Sequence, residues 1–243
     1  EAANGVVLVT TKKGKVGKPV ISYSGSYDLQ KFTVEPEVTD AYQFAVLTVE
    51  NDIAHGQNPN STTYSPDDIQ KFKDGTYPST DWLGAIQKDY TSVQRHNINM
   101  SGGNEKVKYY TSLGYLDEGG IWKSDNLYYK KYNLRSSVTV DITERLKVQL
   151  NMEGMLEDGN NTSLTADNIY FTAMLAQPTT PLYANDNPDY LHLVNPENVL
   201  ADISSDYSGY HRTNTKTFQS NLTLDYNFKN IEGLSAKYMY GFF

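Results

Sequence analysis

From Tyr132 to Ile142 the even-numbered residues are Tyr132, Leu134, Ser136, Val138, Val140 and Ile142, while the odd-numbered ones are Asn133, Arg135, Ser137, Thr139 and Asp141. Only a period of two separates residues this way, and a helix would scatter both kinds around its circumference. The segment is therefore a strand between two different environments. After a turn at Thr143-Glu144-Arg145 the alternation resumes, with Leu146, Val148, Leu150 and Met152 opposite Lys147, Gln149, Asn151 and Glu153. A third clear case sets Phe218, Ser220, Leu222, Leu224, Tyr226 and Phe228 against Gln219, Asn221, Thr223, Asp225, Asn227 and Lys229. Weaker strands are expected over Val20–Asp28, Val93–Ser101, Lys106–Leu116 and Leu234–Phe243, about seven in all.

The spacing between these strands carries the next step. Short connections at 102–105, 143–145 and 230–233 alternate with longer ones at 29–92, 117–128 and 156–212. In an up-and-down antiparallel sheet, alternate connections leave the same end, so the tight turns share one side and the long loops the other. Transmembrane β-barrels of the outer membrane have that asymmetry, with long extracellular loops. The fold class expected is all-β: part of an antiparallel up-and-down transmembrane β-barrel. A soluble sheet with one buried face also alternates, but loops beyond ~15 residues without structure of their own are uncommon in compact domains. Short helices are expected inside the two longest loops, one from Thr39 to Ile53 capped near Thr39 and one from Leu164 to Gln177 ended by Pro178.

Composition narrows the function. Twenty-one basic residues face 29 acidic ones, a net charge of −8 that argues against a nucleic-acid partner. Cysteine is absent, which removes disulfides, thiolate metal sites and cysteine nucleophiles. No apolar run approaches the ~20 residues of a membrane helix, while a mean hydropathy of −0.58 suits a barrel whose strands are half polar. Twenty tyrosines in 243 residues fit aromatic girdles or aromatic recognition loops. His55, His96, His192 and His211 lack metal-ligand spacing, and Asp67-Asp68, Asp117-Glu118 and Glu157-Asp158 fall in expected turns and loops. Asn185-Asp186-Asn187-Pro188-Asp189 reads as a turn, lacking the glycine and distal glutamate of a calcium loop. No catalytic site, metal or cofactor is expected. Ligand contact, where it occurs, is expected from loop and mouth aromatics: Tyr77, Trp82, Trp122, Tyr183, Tyr190, Tyr207 and Tyr210.

Three stretches resemble a known family. Ala3-Asn4-Gly5-Val6-Val7-Leu8-Val9-Thr10-Thr11-Lys12-Lys13-Gly14-Lys15 is similar to the segment that closes the plug domain of SusC/RagA-type TonB-dependent receptors. Tyr77-Pro78-Ser79-Thr80-Asp81-Trp82 resembles the element before the second strand, and Arg95–Asn104 with Tyr109–Ile121 the following hairpin. The resemblance implies a plugged barrel of about 22 strands, so this chain would hold the end of the plug and its linker in residues 1–18 and the N-terminal part of the barrel in residues 19–243. It further implies import of oligosaccharides or peptides across the outer membrane of a Gram-negative bacterium. A SusD-like surface lipoprotein, TonB acting through an N-terminal region outside this chain, and outer-membrane lipid are the partners it implies. The alternative is a soluble β-rich carbohydrate-binding or adhesion module, which requires Tyr132, Val138, Val140, Leu222 and Leu224 to be buried in a protein core.

Overall fold

The computed structural model describes residues 12–124, 126–193 and 198–243. The plug-like motif Ala3–Lys15 therefore lies outside the described residues as far as Thr11, and only its end from Lys12 is described. Seven strands form one sheet in chain order: β1 (Gly17–Gln30), β2 (Thr91–Gly103), β3 (Val107–Gly119), β4 (Tyr128–Asp141), β5 (Leu146–Thr162), β6 (Tyr210–Asn227) and β7 (Ser235–Phe242). Every neighbouring pair is antiparallel, which is the expected up-and-down arrangement. Among the described residues no helix is long and apolar enough to cross a membrane.

The tight turns carry their own side-chain chemistry. Asn104 Oδ1 accepts from the amides of Lys106 and Val107 at 2.9 and 2.8 Å, and Thr143 Oγ1 accepts from those of Arg145 and Leu146 at 3.2 and 3.0 Å. Such local bonds satisfy backbone groups that the ladder has just released. At the other end, the connection from β1 to β2 holds α1 (Ala41–Ala54), α2 (Pro66–Lys73) and α3 (Trp82–Ile86), and that from β5 to β6 holds α4 (Ala166–Leu175) and α5 (Val199–Ile203). The two helices read from sequence are α1 and α4. Asp40 rather than Thr39 caps α1, in a reciprocal box with Gln43.

Register turns the alternation into rows. One row on the apolar face runs Tyr23, Ile98, Leu113, Leu134, Gly154, Phe218 across β1 to β6; another runs Val107, Val140, Val148, Leu224, Tyr238 across β3 to β7. His96 shares this face, its ring stacked between Tyr23 and Tyr115 at 6.1 and 6.2 Å, with Tyr115 against Tyr132 at 5.0 Å. The Tyr23 hydroxyl and His96 Nδ1 lie 2.7 Å apart. The face meets no other part of the described chain: Ile21 is 68% exposed, Leu113 52% and Tyr240 60%. Total accessible area is 16783 Å², against roughly 10,900 Å² for a globular monomer of this mass. The excess is the signature of a sheet with an open apolar face and two open edges.

Candidate functional site

Two regions qualify: the cap built by the long loops, and the polar face of the sheet beneath it. The cap has its own core. Trp82, Leu83 and Ile86 of α3, Trp122 from the β3–β4 loop, Ile169 and Ala173 of α4, and Val199 and Ile203 of α5 pack into one cluster. Three separate connections thus meet in a single apolar interior. A second cluster joins Ala41, Ala45 and Phe72 with Tyr42, Tyr64, Ile69 and Tyr77.

Irregular backbone buried this way needs partners for its amides and carbonyls, and the cap supplies them with side chains. Trp82 Nε1 donates to the Gln177 carbonyl at 3.0 Å, Thr80 Oγ1 to that of Thr180 at 2.6 Å, and buried Asn198 Nδ2 to those of Leu182 and His192 at 3.0 and 2.9 Å. Asp52 Oδ2 accepts from the Thr63 amide at 2.7 Å, and that bond holds its carboxyl below the usual carboxylate range. Asp68 and Asp74 are lowered in the same way, by Ser65 and Thr76.

The aromatics expected to touch ligand divide sharply. Trp82 and Trp122 are buried, at 5% and 2% exposure, inside the first cluster. Tyr77 packs edge-on against Phe72 at 5.2 Å with Lys71 Nζ 5.2 Å above its ring. Tyr183 is half-buried and bridges to Leu191. Tyr190, Tyr207 and Tyr210 are exposed, at 65%, 62% and 64%. Asn185 and Asp186 take left-handed backbone angles in the turn before Tyr190, a conformation these two residue types tolerate.

Below the cap, the polar face is crossed by charge pairs that single-residue reading of the sequence does not expose. Arg95 reaches Asp28 at 3.0 Å and Glu118 at 3.5 Å; Lys131 pairs with Glu157 at 3.4 Å; Asp141 lies between Lys108 at 3.3 Å and Lys147 at 3.7 Å. Arg135 pairs with Glu153, and Tyr129 donates to Glu157. Their signal in the sequence is parity plus register: each charged partner lies on an adjacent strand, in the polar set. Exposed pairs contribute at most ~1 kcal/mol each, so their effect is to keep a charged surface internally matched.

Residues 12–16 lie across this same face. Lys13 Nζ reaches Gln149 Oε1 at 3.5 Å, and Lys12 lines a cavity of about 550 Å³ with Tyr110, Asn133, Arg135, Glu153 and Gln219. Gly14 presses so close to β3 that a Cβ there would sit 2.3 Å from the Tyr109 amide nitrogen. Among the described residues no group of three or more histidine or acidic side chains is placed to hold a metal ion.

No protein-family model matches the chain. Curated relatives do. The TonB-dependent receptor P3 of Formosa agariphila is 30% identical over 253 residues, covering 99% of this chain and 22% of that protein. The TonB-dependent receptor SusC of Bacteroides thetaiotaomicron is 27% identical over 256 residues, covering 96% of this chain and 23% of that protein. Among solved structures, the RagAB peptide transporter superposes with a TM-score of 0.67 at 21% identity, over 99% of this chain and 29% of that one. The RagAB peptide importer in its open-open state gives 0.66 at 20% identity. The chain spans less than a third of the length of each. By sequence the curated relatives of this chain are TonB-dependent receptors, SusC among them, and by fold it matches a segment of RagAB structures.

Proposed function

We propose that the chain is the entry to the barrel of an outer-membrane transporter that imports oligosaccharide or peptide nutrients with energy delivered through TonB. Residues 1–18 serve as the end of the plug and its linker, and residues 19–243 as the first part of the barrel wall. The observation that carries this reading is the two-faced sheet. Its apolar set on β4 from Tyr132 to Val140 covers eight residue steps, roughly 27 Å of strand, which a tilt of ~40° reduces to about 21 Å, comparable with the ~25 Å apolar band of an outer-membrane barrel. The opposite face is polar, pairs its own charges, and has Lys12–Val16 laid across it, as the wall of a plug-filled lumen requires.

The cap then sits at the extracellular mouth, where a SusD-like lipoprotein would dock and where exposed Tyr190, Tyr207 and Tyr210 are available to a ligand. Buried Trp82 and Trp122 serve that mouth by holding its loops together. The soluble-module alternative is disfavoured because Tyr132, Val138, Val140, Leu222 and Leu224 are none of them buried. The deciding experiment uses the intact gene product. It should fractionate with outer membranes, show heat-modifiable migration in detergent, and on deletion abolish growth on one class of oligomeric nutrient. Recovery as a soluble protein would overturn the proposal.

A further inference from the structure

A groove of about 670 Å³ lies on the apolar face, lined by Ile98, Leu113, Leu134 and Leu156 with the Tyr115 and Tyr132 rings. Gly114, Asn133, Met155 and Thr217 also line it, but by parity they belong to the other face, so they contribute backbone to its floor. His96, the remaining polar ring in the lining, has its Nδ1 2.7 Å from the Tyr23 hydroxyl. The depression owes its depth to Gly154, which stands in register between Leu134 and Phe218 with no side chain: a Cβ there would meet only Leu134, at 3.9 Å.

One cation joins this lining. Lys216 pairs in register with Leu156, and Leu156 with Tyr132, so the lysine lies at the cap-side edge of the apolar band. A lysine facing lipid is costly at the midplane and nearly free at the interface, where its stem lies along hydrocarbon and its ammonium reaches the headgroups. The next row toward the cap is Asp117, Lys130, Asp158 and Asn214. Its carboxylates are engaged, since Asp158 accepts from Arg212 at 3.3 Å and Asp117 from the Tyr115 hydroxyl at 2.9 Å. Lys130 lies between these two carboxylates in register, with Nζ 5.7 Å over the Tyr128 ring. Lys216 is exposed and has no ion pair among the described residues.

We infer that the groove holds an acyl chain of a net-anionic, phosphate-bearing lipid of the outer leaflet, whose phosphate pairs with Lys216. The inference deepens the transporter reading and rests on it, because that reading puts this face in the membrane and the cap outside. The occupant must be apolar along the groove and anionic at its cap end, which describes an anionic amphiphile held by burial along its tail and by charge at its head. A second copy of these strands fits less well. Their apolar-face positions carry two carboxylates, Asp117 and Asp158, both already bonded, so a copy docked here brings no free anion to Lys216.

The test uses the full-length receptor, purified in detergent and stripped of lipid, and native mass spectrometry with three probes: diphosphoryl lipid A, phosphatidylcholine and inorganic phosphate. Lipid A should bind more tightly than phosphatidylcholine. Lys216→Gln should weaken the tightest lipid A binding about fivefold, the share of one lysine at an anionic lipid surface, and leave phosphatidylcholine unchanged. Gly154→Leu, which puts a side chain into the groove, should weaken both lipids. Heat-modifiable migration as in the wild type shows that each variant has folded. Lipid A affinity unchanged in either variant, no preference for lipid A over phosphatidylcholine, or free phosphate bound as tightly as lipid A overturns the inference. So does a Gly154→Leu receptor that loses a dimer while keeping its lipid, which gives the groove to a second copy. With the protein in the outer membrane, these outcomes leave the transporter reading standing; recovery as a soluble protein removes that reading itself.

Discussion

The sheet and the cap use the same residue types in opposite directions. On the sheet, Ile21, Tyr23, Leu113, Leu134 and Tyr240 point outward and stay exposed; in the cap, Trp82, Ile86, Trp122 and Ile169 point inward and are almost fully buried. Polar groups reverse as well. The sheet satisfies its backbone by ladder and faces its carboxylates and cations to the other side, whereas the cap spends Thr80, Trp82 and Asn198 side chains on loop carbonyls. What differs is the solvent each region meets. On the transporter reading the sheet is a wall between lipid and lumen with no interior of its own, whereas a loop assembly in water must make one.

Breaking the cap should give the largest effect. Trp122 is 2% exposed and lies in the cluster where three connections meet, so Trp122→Ala should cost the cap about 3–5 kcal/mol. Amide exchange should rise through α3, α4 and α5 while the heat transition of the intact barrel is unmoved. A matching loss in the barrel would mean that cap and wall fold as one unit. Next in size is a test of the two faces of the wall. Leu150 lies mid-row on the apolar face and Thr223 on the polar face of the adjacent strand. Leu150→Lys should cost ~2–4 kcal/mol in equilibrium folding into vesicles, and Thr223→Lys only ~0.5 kcal/mol. Equal costs would show that the faces have been assigned wrongly. A smaller effect tests the local order of the cap: Asp40→Ala removes the capping box of α1 and should cost the helix ~1 kcal/mol, read as faster exchange in its first turn.

The same contrast explains how much could be read beforehand. Strand centres are legible because the two faces of the sheet differ in polarity and so impose parity. Strand ends are not: β5 continues through Asn160, Asn161 and Thr162, and β6 begins at Tyr210 rather than Phe218. There both faces meet polar surroundings, so the ladder persists after the alternation has stopped. His96 shows only its lack of metal-ligand spacing in the sequence, and its parity with Ile98 and Met100 places it in the aromatic row of the apolar face. In the cap, α1 and α4 are long enough to show a period. Helices α3 and α5 span a single turn or so and show none, while α2 announces itself only by Ser65-Pro66 and the bond from Ser65 to Asp68. Trp82 and Trp122 illustrate a different limit, since an aromatic side chain serves a core or a ligand equally well. Only the meeting of three loops decides between those roles.

The smallest effect tests the cap's electrostatics. Thr63 donates its amide to Asp52 at 2.7 Å, tying α1 to the loop that follows it, and this bond lowers the Asp52 carboxyl below its ordinary 3.8. A carboxylate whose value is lower folded than unfolded contributes stability that is complete above the unfolded value and is lost as pH falls through the folded one. The tie should therefore be intact at pH 5 and above, and should weaken only below about pH 4. Exchange at the Thr63 amide, followed from pH 6 down to pH 3, should accelerate beyond its intrinsic rate only in that last interval. Asp52→Asn keeps an oxygen acceptor but cannot titrate, so its Thr63 protection should be lower at pH 6 and flat through the acid range. If the wild type and Asp52→Asn lose protection over the same interval, the acid sensitivity belongs to a neighbour such as Asp68, whose carboxyl is lowered by Ser65, and the α1 tie is not charge-dependent.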